Sequence, residues 1–151
     1  MSIAERELTL IKTIAAPRAK VFEAYINPEL LKQWWAPKPW LTTDVTIDPR
    51  SGGVFNFVMQ SPEGVASPYE GMLLEVVPNE KFVFSDAFTL GWIPTEDPFM
   101  VGIITFEDAD GGTKITAVAR HWTVEAKERH EKMGFHEGWG QAVSQLEELL
   151  K

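Results

Sequence analysis

Two ionisable side chains, Asp86 and His121, fall within otherwise apolar strand patterns. Asp86 alternates with the phenylalanines of residues 82–88, and His121 follows Ala117 and Ala119 on one face of the last predicted strand. Burial and a nearby partner shift the pKa of such groups, so they are candidates for a general acid and base or for orienting a ligand. The alternative is that Asp86 is solvated at a strand end and His121 bonds a loop. The pattern leaves both interpretations open.

The other residue types argue against several kinds of site. The chain has no cysteine, so disulfides, thiolate nucleophiles and zinc–thiolate centres are impossible. Its three histidines form no His-Glu-x-x-His motif, and His130 and His136 lie on different faces of a helix. No Lys-Ser or Lys-Thr pair follows Gly52-Gly53, which predicts a turn and not a phosphate-binding loop. We therefore expect no metal and no cofactor.

Bulky aromatic residues are frequent, with six Trp and nine Phe in the chain. Such rings either fill a core or line a pocket for an apolar ligand. The small residues before His121 favour a pocket, and the apolar loop 90–99 is expected to cover its mouth or to dock on a partner subunit. The predicted cavity wall consists of Trp34, Trp35, Phe57, Met59, Tyr69, Phe84, Phe88, Trp92, Phe99, Ala117, Ala119, His121, Phe135 and Trp139, and Trp122 belongs to the same set of rings.

Hydrophobic periodicity predicts the elements that position these groups. Alternation with a period of two begins near Leu8 and recurs about six times between Trp40 and Trp122, with short Gly- and Pro-containing separators typical of antiparallel hairpins. Two short helices are predicted after the first strand, and an apolar stripe from Phe135 to Leu150 predicts a long terminal helix. The predicted fold is α+β: a curved antiparallel sheet of about seven strands wrapped around a long C-terminal helix, with a cavity between them.

Length and charge narrow the class of protein further. A chain of 151 residues suits a single domain, 1–151. Its formal net charge of −8 disfavours nucleic acid and anionic lipid as partners. No apolar run approaches the roughly 18 residues that span a bilayer, and the acidic N-terminus does not resemble a signal peptide. We expect a cytoplasmic protein with no membrane insertion, and homodimerisation is possible.

Several segments, in order along nearly the whole chain, form a recognisable set: Ala16-Pro17, residues 28–37 with Trp34-Trp35, residues 48–59 with Gly52-Gly53, residues 71–84, Gly111-Gly112-Thr113 and residues 133–139. Together they resemble the START-like helix-grip superfamily, and within it the group named for the activator of Hsp90 ATPase. The resemblance implies the helix-grip fold. It implies no universal catalytic residue, because members bind lipids, hormones or polyketides, act as cyclases or dehydratases, or bind chaperones. Only seven residues precede the first strand, so we expect no separate domain before it.

Three functions follow as hypotheses. The first is binding of a small hydrophobic molecule, lipid-, polyketide- or hormone-like, in the cavity beneath the terminal helix. The second is a cyclase or dehydratase that uses Asp86 and His121 as acid and base. The third is a stress-response or chaperone-interaction protein, which predicts an exposed apolar or acidic patch; Hsp90 itself is the less favoured partner. Binding without catalysis is preferred.

Overall fold

Nine strands and four α-helices make up the computed structural model, which describes residues 2–151. The strands are β1 (Glu7–Ile14), β2 (Leu41–Ile47), β3 (Val54–Gln60), β4 (Ala66–Val77), β5 (Lys81–Ser85), β6 (Phe88–Thr89), β7 (Ile93–Pro94), β8 (Val101–Ala109) and β9 (Gly112–Arg120). Seven of them form one antiparallel sheet in the order β1-β9-β8-β5-β4-β3-β2, and β6 pairs only with β7. The predicted sheet of about seven strands is confirmed.

Two short helices lie between β1 and β2, and two further helices follow β9. A single 3₁₀ turn, Ile3–Arg6, leads into β1, and the α-helices are α1 (Arg18–Ile26), α2 (Pro28–Leu31), α3 (Val124–Lys132) and α4 (Phe135–Leu149). Asn27 caps α2 by accepting hydrogen bonds from the N–H groups of Glu29 and Leu30. Gly134 separates α3 from α4 with a φ of 96°, a conformation that glycine adopts without steric cost. The two short helices after β1 and the long terminal helix are also as predicted.

One face of the sheet is covered by helices, and we call it the inner face; it carries Leu8, Phe57, Phe84, Ile104 and Ala117. Alternate residues of the strands point to it, as the pleat of a strand requires. The register pairs Leu8 with Ala119 and Ile104 with Ala117, so small and large side chains face one another across neighbouring strands. The core of the molecule lies between this face and the helices.

Helix α4 packs on the inner face through buried Phe135, Ala142, Val143 and Leu146. Ala142, Val143 and Leu146 lie seven, eight and eleven positions after Phe135, so all four residues fall on one side of the helix and form an apolar stripe. On its flanks, Lys12 of β1 donates a hydrogen bond to Ser144, and the Gln145 amide donates to the carbonyl oxygens of Trp34 and Ala36 at 3.1 and 2.9 Å. The helix is therefore fixed both to the edge of the sheet and to the segment that follows α2.

Candidate functional site

Trp35 lies at the centre of an aromatic cluster on the inner face. Its ring meets those of Phe55, Phe57 and Phe84 edge to face, with centroids 5.8, 5.7 and 5.6 Å apart. The segment that carries Trp35 is anchored to α1, because the Trp34 indole N–H donates a hydrogen bond to the Ala24 carbonyl oxygen at 3.1 Å. Edge-to-face contacts of this kind add about 0.5–1.5 kcal/mol per pair beyond area burial. The cluster is an apolar surface formed by β3, β5 and the segment after α2.

Tyr69 of β4 extends this cluster and brings a polar group into it. Its ring stacks on Phe57 of the paired strand, with centroids 4.6 Å apart and an interplanar angle of 7°. The ring is half-buried, but its hydroxyl oxygen is shut off from solvent and has no hydrogen-bond partner among residues 2–151. Burial, together with the nearby Asp86 carboxylate, raises the pKa of Tyr69 well above its usual value, so the hydroxyl stays protonated.

Asp86 follows the end of β5, and its carboxylate holds the chain segment that returns to β8. It accepts hydrogen bonds from the Phe99 N–H at 2.9 Å and from the Met100 N–H at 3.3 Å. These bonds fix Phe99, whose ring then packs on His121 and His130, with centroids 5.9 and 4.7 Å away. Asp86 therefore positions an aromatic ring next to the histidines.

His121 forms a buried hydrogen-bonded pair with His130 of α3. The Nε2 atom of His121 lies 2.9 Å from Nδ1 of His130, and its Nδ1 lies 2.9 Å from the Arg6 carbonyl oxygen. Because a carbonyl oxygen only accepts, Nδ1 of His121 carries a proton and donates it. In neutral His121 the Nε2 atom then accepts from the Nδ1–H of His130. Only one proton can occupy the bond between the two rings.

The surroundings of His130 are aromatic. Besides Phe99, the rings of Phe135 and Trp139 lie 5.2 and 6.0 Å from it. Burial, and to a smaller extent the neighbouring His121, lowers the pKa of His130 to about 4. At neutral pH His130 is therefore uncharged, and the hydrogen-bonded pair supplies a polar contact within an apolar environment.

The proposed acid and base pair is arranged differently from the hypothesis. Asp86 and His121 lie on the two sides of Phe99: the carboxylate bonds the Phe99 backbone, and the imidazole packs on its ring. Both nitrogens of His121 have partners already, Arg6 and His130. A catalytic role for the two residues stays a prediction.

The structure brings most of the predicted wall into one cluster, but not all of it. Fully buried members are Trp34, Phe57, Phe84, Ala117, Ala119, His121 and Phe135. Half-buried members that pack on the same core are Trp35, Met59, Tyr69, Phe99 and Trp139. Outside it lie Phe88 and Trp92, on the β6–β7 hairpin, and Trp122, which is exposed. Trp92 packs on Gly52 and Phe88, outside the cluster. Of the two aromatic residues in the loop 90–99, Phe99 is the one whose ring packs in the interior.

The space predicted near the small residues of β9 is occupied in part. Gly102, the neighbour of Ala119 in the register, has no Cβ, and the Phe84 ring fills that place. Two surface depressions lie elsewhere: one includes Ala19 and Leu150, and the other includes Gln33 and Glu148. Neither contains a residue of the predicted wall. The aromatic cluster itself is closely packed, because the ring centroids of Phe55, Phe57 and Phe84 lie 5.8, 5.7 and 5.6 Å from that of Trp35.

The sequence patterns did not predict the pairing of His121 with His130. The helical pattern places His130 and His136 on different faces, and it gives no indication that His130 contacts a strand residue. A usable signal is the spacing of Ala126 and His130, four apart on one face of an otherwise charged helix. Within residues 2–151, no group of three or more His, Asp or Glu side chains is arranged to hold a metal, and no helix is long and apolar enough to cross a membrane.

Comparisons with known proteins identify the family and support the fold. The family model described as "Activator of Hsp90 ATPase homolog 1-like protein" matches residues 15–151. A crystal structure of a Nitrosomonas europaea protein is 41% identical, with a TM-score of 0.94 over 97% of this chain and 95% of the other. A Mycobacterium smegmatis protein is 28% identical, with a TM-score of 0.82 over 99% and 93%. A Staphylococcus epidermidis protein is 26% identical, with a TM-score of 0.81 over 96% and 89%. Curated proteins give no significant match.

Proposed function

This chain belongs to the family of Activator of Hsp90 ATPase homolog 1-like proteins, and we propose that it binds a small, largely apolar molecule between α4 and the inner face of the sheet. The ligand class is lipid-, polyketide- or hormone-like, and the proposal is for binding without catalysis in the cytoplasm. One observation supports it. Four large side chains pack on the buried core and yet remain only half-buried: Trp35, Met59, Tyr69 and Trp139.

A ligand that covered these half-buried rings would remove apolar surface from water, which lowers the free energy of the complex. Each Å² of apolar surface removed from water contributes about 25 cal/mol, and aromatic side chains bury about 150–250 Å² when fully covered. The first turns of α4 adjoin the segment that carries Trp35, because a Cβ placed on Gly138 would lie 3.8 Å from the Pro37 ring. A flat apolar molecule at this end of the helix would cover several of these rings at once.

Because the aromatic cluster is closely packed, ligand entry requires Met59 and Trp139 to move aside, while Tyr69 keeps its stacked position on Phe57. Met59 and Trp139 are suited to this because neither is sealed in the core, and an unbranched methionine changes rotamer easily. The sealed rings behind them, Phe55 and Phe84, would form the fixed floor of the site.

Naphthalene is a suitable first probe because it is apolar, flat and uncharged. In a titration followed by NMR, we expect the indole N–H signals of Trp35 and Trp139 to shift on addition of naphthalene. The signal of Trp122, which is 44% exposed and outside the cluster, should stay in place.

Two matched substitutions test the location of the site. Trp139→Ala should weaken naphthalene binding about tenfold, since a well-placed aromatic contact is worth about 1.4 kcal/mol. Trp122→Ala removes the same side chain from the exposed position and should leave the affinity unchanged. Equal losses in the two variants, or equal shifts of all indole signals, would show non-specific adsorption and refute the proposal.

Docking on a protein partner is a second candidate function, and one observation favours it. The tip of the β6–β7 hairpin exposes Leu90, Trp92 and Ile93, each by more than half of its surface. Trp92 has a φ of 61°, a conformation that is uncommon for a bulky residue. Apolar side chains on a protruding hairpin are typical of contact surfaces. The family's name suggests Hsp90 as the partner to test.

A pull-down with purified Hsp90 separates this candidate from the first. Retention of the wild-type chain, lost in Trp92→Ala and kept in Trp122→Ala, would support docking through the hairpin. Absence of retention would remove Hsp90 docking and leave the ligand-binding proposal unaffected.

A further inference from the structure

The Tyr69 hydroxyl is a buried polar group that the described protein leaves without a hydrogen bond. Buried hydroxyls in native proteins are nearly always paired with protein, water or ligand. The ring cannot turn freely to find a partner, because it is stacked on Phe57 at 4.6 Å and flanked by Phe55 and Phe84 at 5.9 and 6.4 Å. The hydroxyl therefore marks one fixed point at which a ligand could form a directional bond within an otherwise apolar site.

A second unpartnered hydroxyl lies on the same face of the sheet. Thr42 of β2 is 5% exposed, and its Oγ1 atom has no hydrogen-bond partner among residues 2–151. Thr42 pairs with Met59 of β3, two residues beyond Phe57, which pairs with Tyr69. Because residues two apart on a strand share a face, the two hydroxyls belong to the inner face. Two unsatisfied polar groups on one face are easier to explain by ligand contacts than by chance.

Charge restricts the kind of group that could approach Tyr69. Burial, and after it the Asp86 carboxylate, raises the pKa of Tyr69 and so opposes a negative charge at this position, and the whole chain has a formal charge of −8. A carboxylate or phosphate on the ligand would meet the same repulsion and would lose its hydration. A neutral hydroxyl can accept a hydrogen bond from Tyr69 without bringing a second negative charge near Asp86.

We infer that the ligand is an uncharged alcohol or phenol whose oxygen accepts a hydrogen bond from Tyr69, and that anionic lipids such as free fatty acids are excluded. This inference rests on the proposed function, because it requires the apolar site beneath α4. It adds the polar group of the ligand, its charge and the residue that recognises it.

The test compares naphthalene, 2-naphthol and 2-naphthoate by equilibrium dialysis at neutral pH. We expect the wild type to bind 2-naphthol about tenfold more tightly than naphthalene, the factor that one net hydrogen bond provides. The 2-naphthoate anion should bind more weakly than naphthalene. Equal affinity for naphthalene and 2-naphthol, or tight binding of 2-naphthoate, would overturn the inference while the binding function stands. Failure of all three to bind would overturn the proposed function, and the inference with it.

The two tyrosines of the chain provide matched variants. Tyr69→Phe removes the hydroxyl and keeps the stacked ring, so the preference for 2-naphthol over naphthalene should disappear. Tyr25→Phe removes the other tyrosine hydroxyl, on α1, and should keep the preference. A preference unchanged in Tyr69→Phe would refute the assignment. Because the three probes are compared on the wild type as well, the inference can fail even if a variant does not fold.

Discussion

Protonation of His130 is expected to destabilise the fold in mildly acidic solution. Its pKa falls from 6.5 in the unfolded chain to about 4 in the folded one, mainly because the ring is buried. Between these two values the unfolded state binds the proton and the folded state does not, so the free energy of unfolding decreases as the pH falls through this window. Below the folded pKa the loss is complete and amounts to about 3 kcal/mol.

The measurable part of this effect lies between pH 7 and pH 5. Two-state linkage with these pKa values gives a loss of about 2 kcal/mol over that interval from His130 alone. Urea unfolding followed by tryptophan fluorescence at the two pH values measures it. His130→Gln keeps a group able to hydrogen-bond His121 but cannot titrate, so the pH dependence of its stability should be smaller than that of the wild type by this amount.

His136 provides the control, because it is exposed and lies six positions from His130. The free energy of unfolding of His136→Gln should depend on pH as that of the wild type does. Any contribution from carboxylates is present in both proteins and does not affect the comparison. If His130→Gln and the wild type lose the same free energy between pH 7 and pH 5, burial of His130 is not the cause, and the argument from the aromatic surroundings of the ring is refuted.

Three further changes have definite expected effects on the free energy of unfolding, each measurable by urea denaturation. Gly102→Ala places a Cβ within the Phe84 ring and should cost about 1–3 kcal/mol; no loss would mean that the ring can move away. Asp86→Ala leaves two loop N–H groups without their acceptor and should cost about 1–3 kcal/mol, with Asp86→Asn less harmful because its carbonyl oxygen still accepts. Glu7→Gln should cost less than about 1 kcal/mol, because the salt bridge with Arg120 is partly exposed; a larger loss would contradict this.

The sequence was sufficient for the architecture where local patterns decide it. Alternation with a period of two identified the sheet, and the spacing of Phe135, Ala142, Val143 and Leu146 identified α4, because each pattern reflects the geometry of a single element. Asn27-Pro28 marked the boundary between α1 and α2 for the same reason. These features depend on neighbours in the chain, which a sequence shows directly.

Contacts between distant segments were harder to predict. Residues 82–88 were expected to form one strand, but β5 ends at Ser85, where Asp86 bonds N–H groups thirteen and fourteen residues further on. The sequence predicts that the loop carrying Trp92 covers the cavity mouth or docks on a partner subunit, and within the chain Trp92 packs on Gly52. In both cases the deciding interaction is a tertiary contact, and the type of a residue does not indicate which distant group it will contact.

The order of strands has a consequence for synthesis of the protein. β1 hydrogen-bonds only to β9, with Glu7 opposite Arg120 and Ile14 opposite Thr113. While the ribosome is still making the middle of the chain, the first strand has no partner, and its buried positions Leu8 and Ile14 stay without cover. The molecule can close only once nearly all of it has been translated. Such late, long-range pairing slows folding and leaves an open strand edge during that time, when association with other nascent chains is the competing reaction.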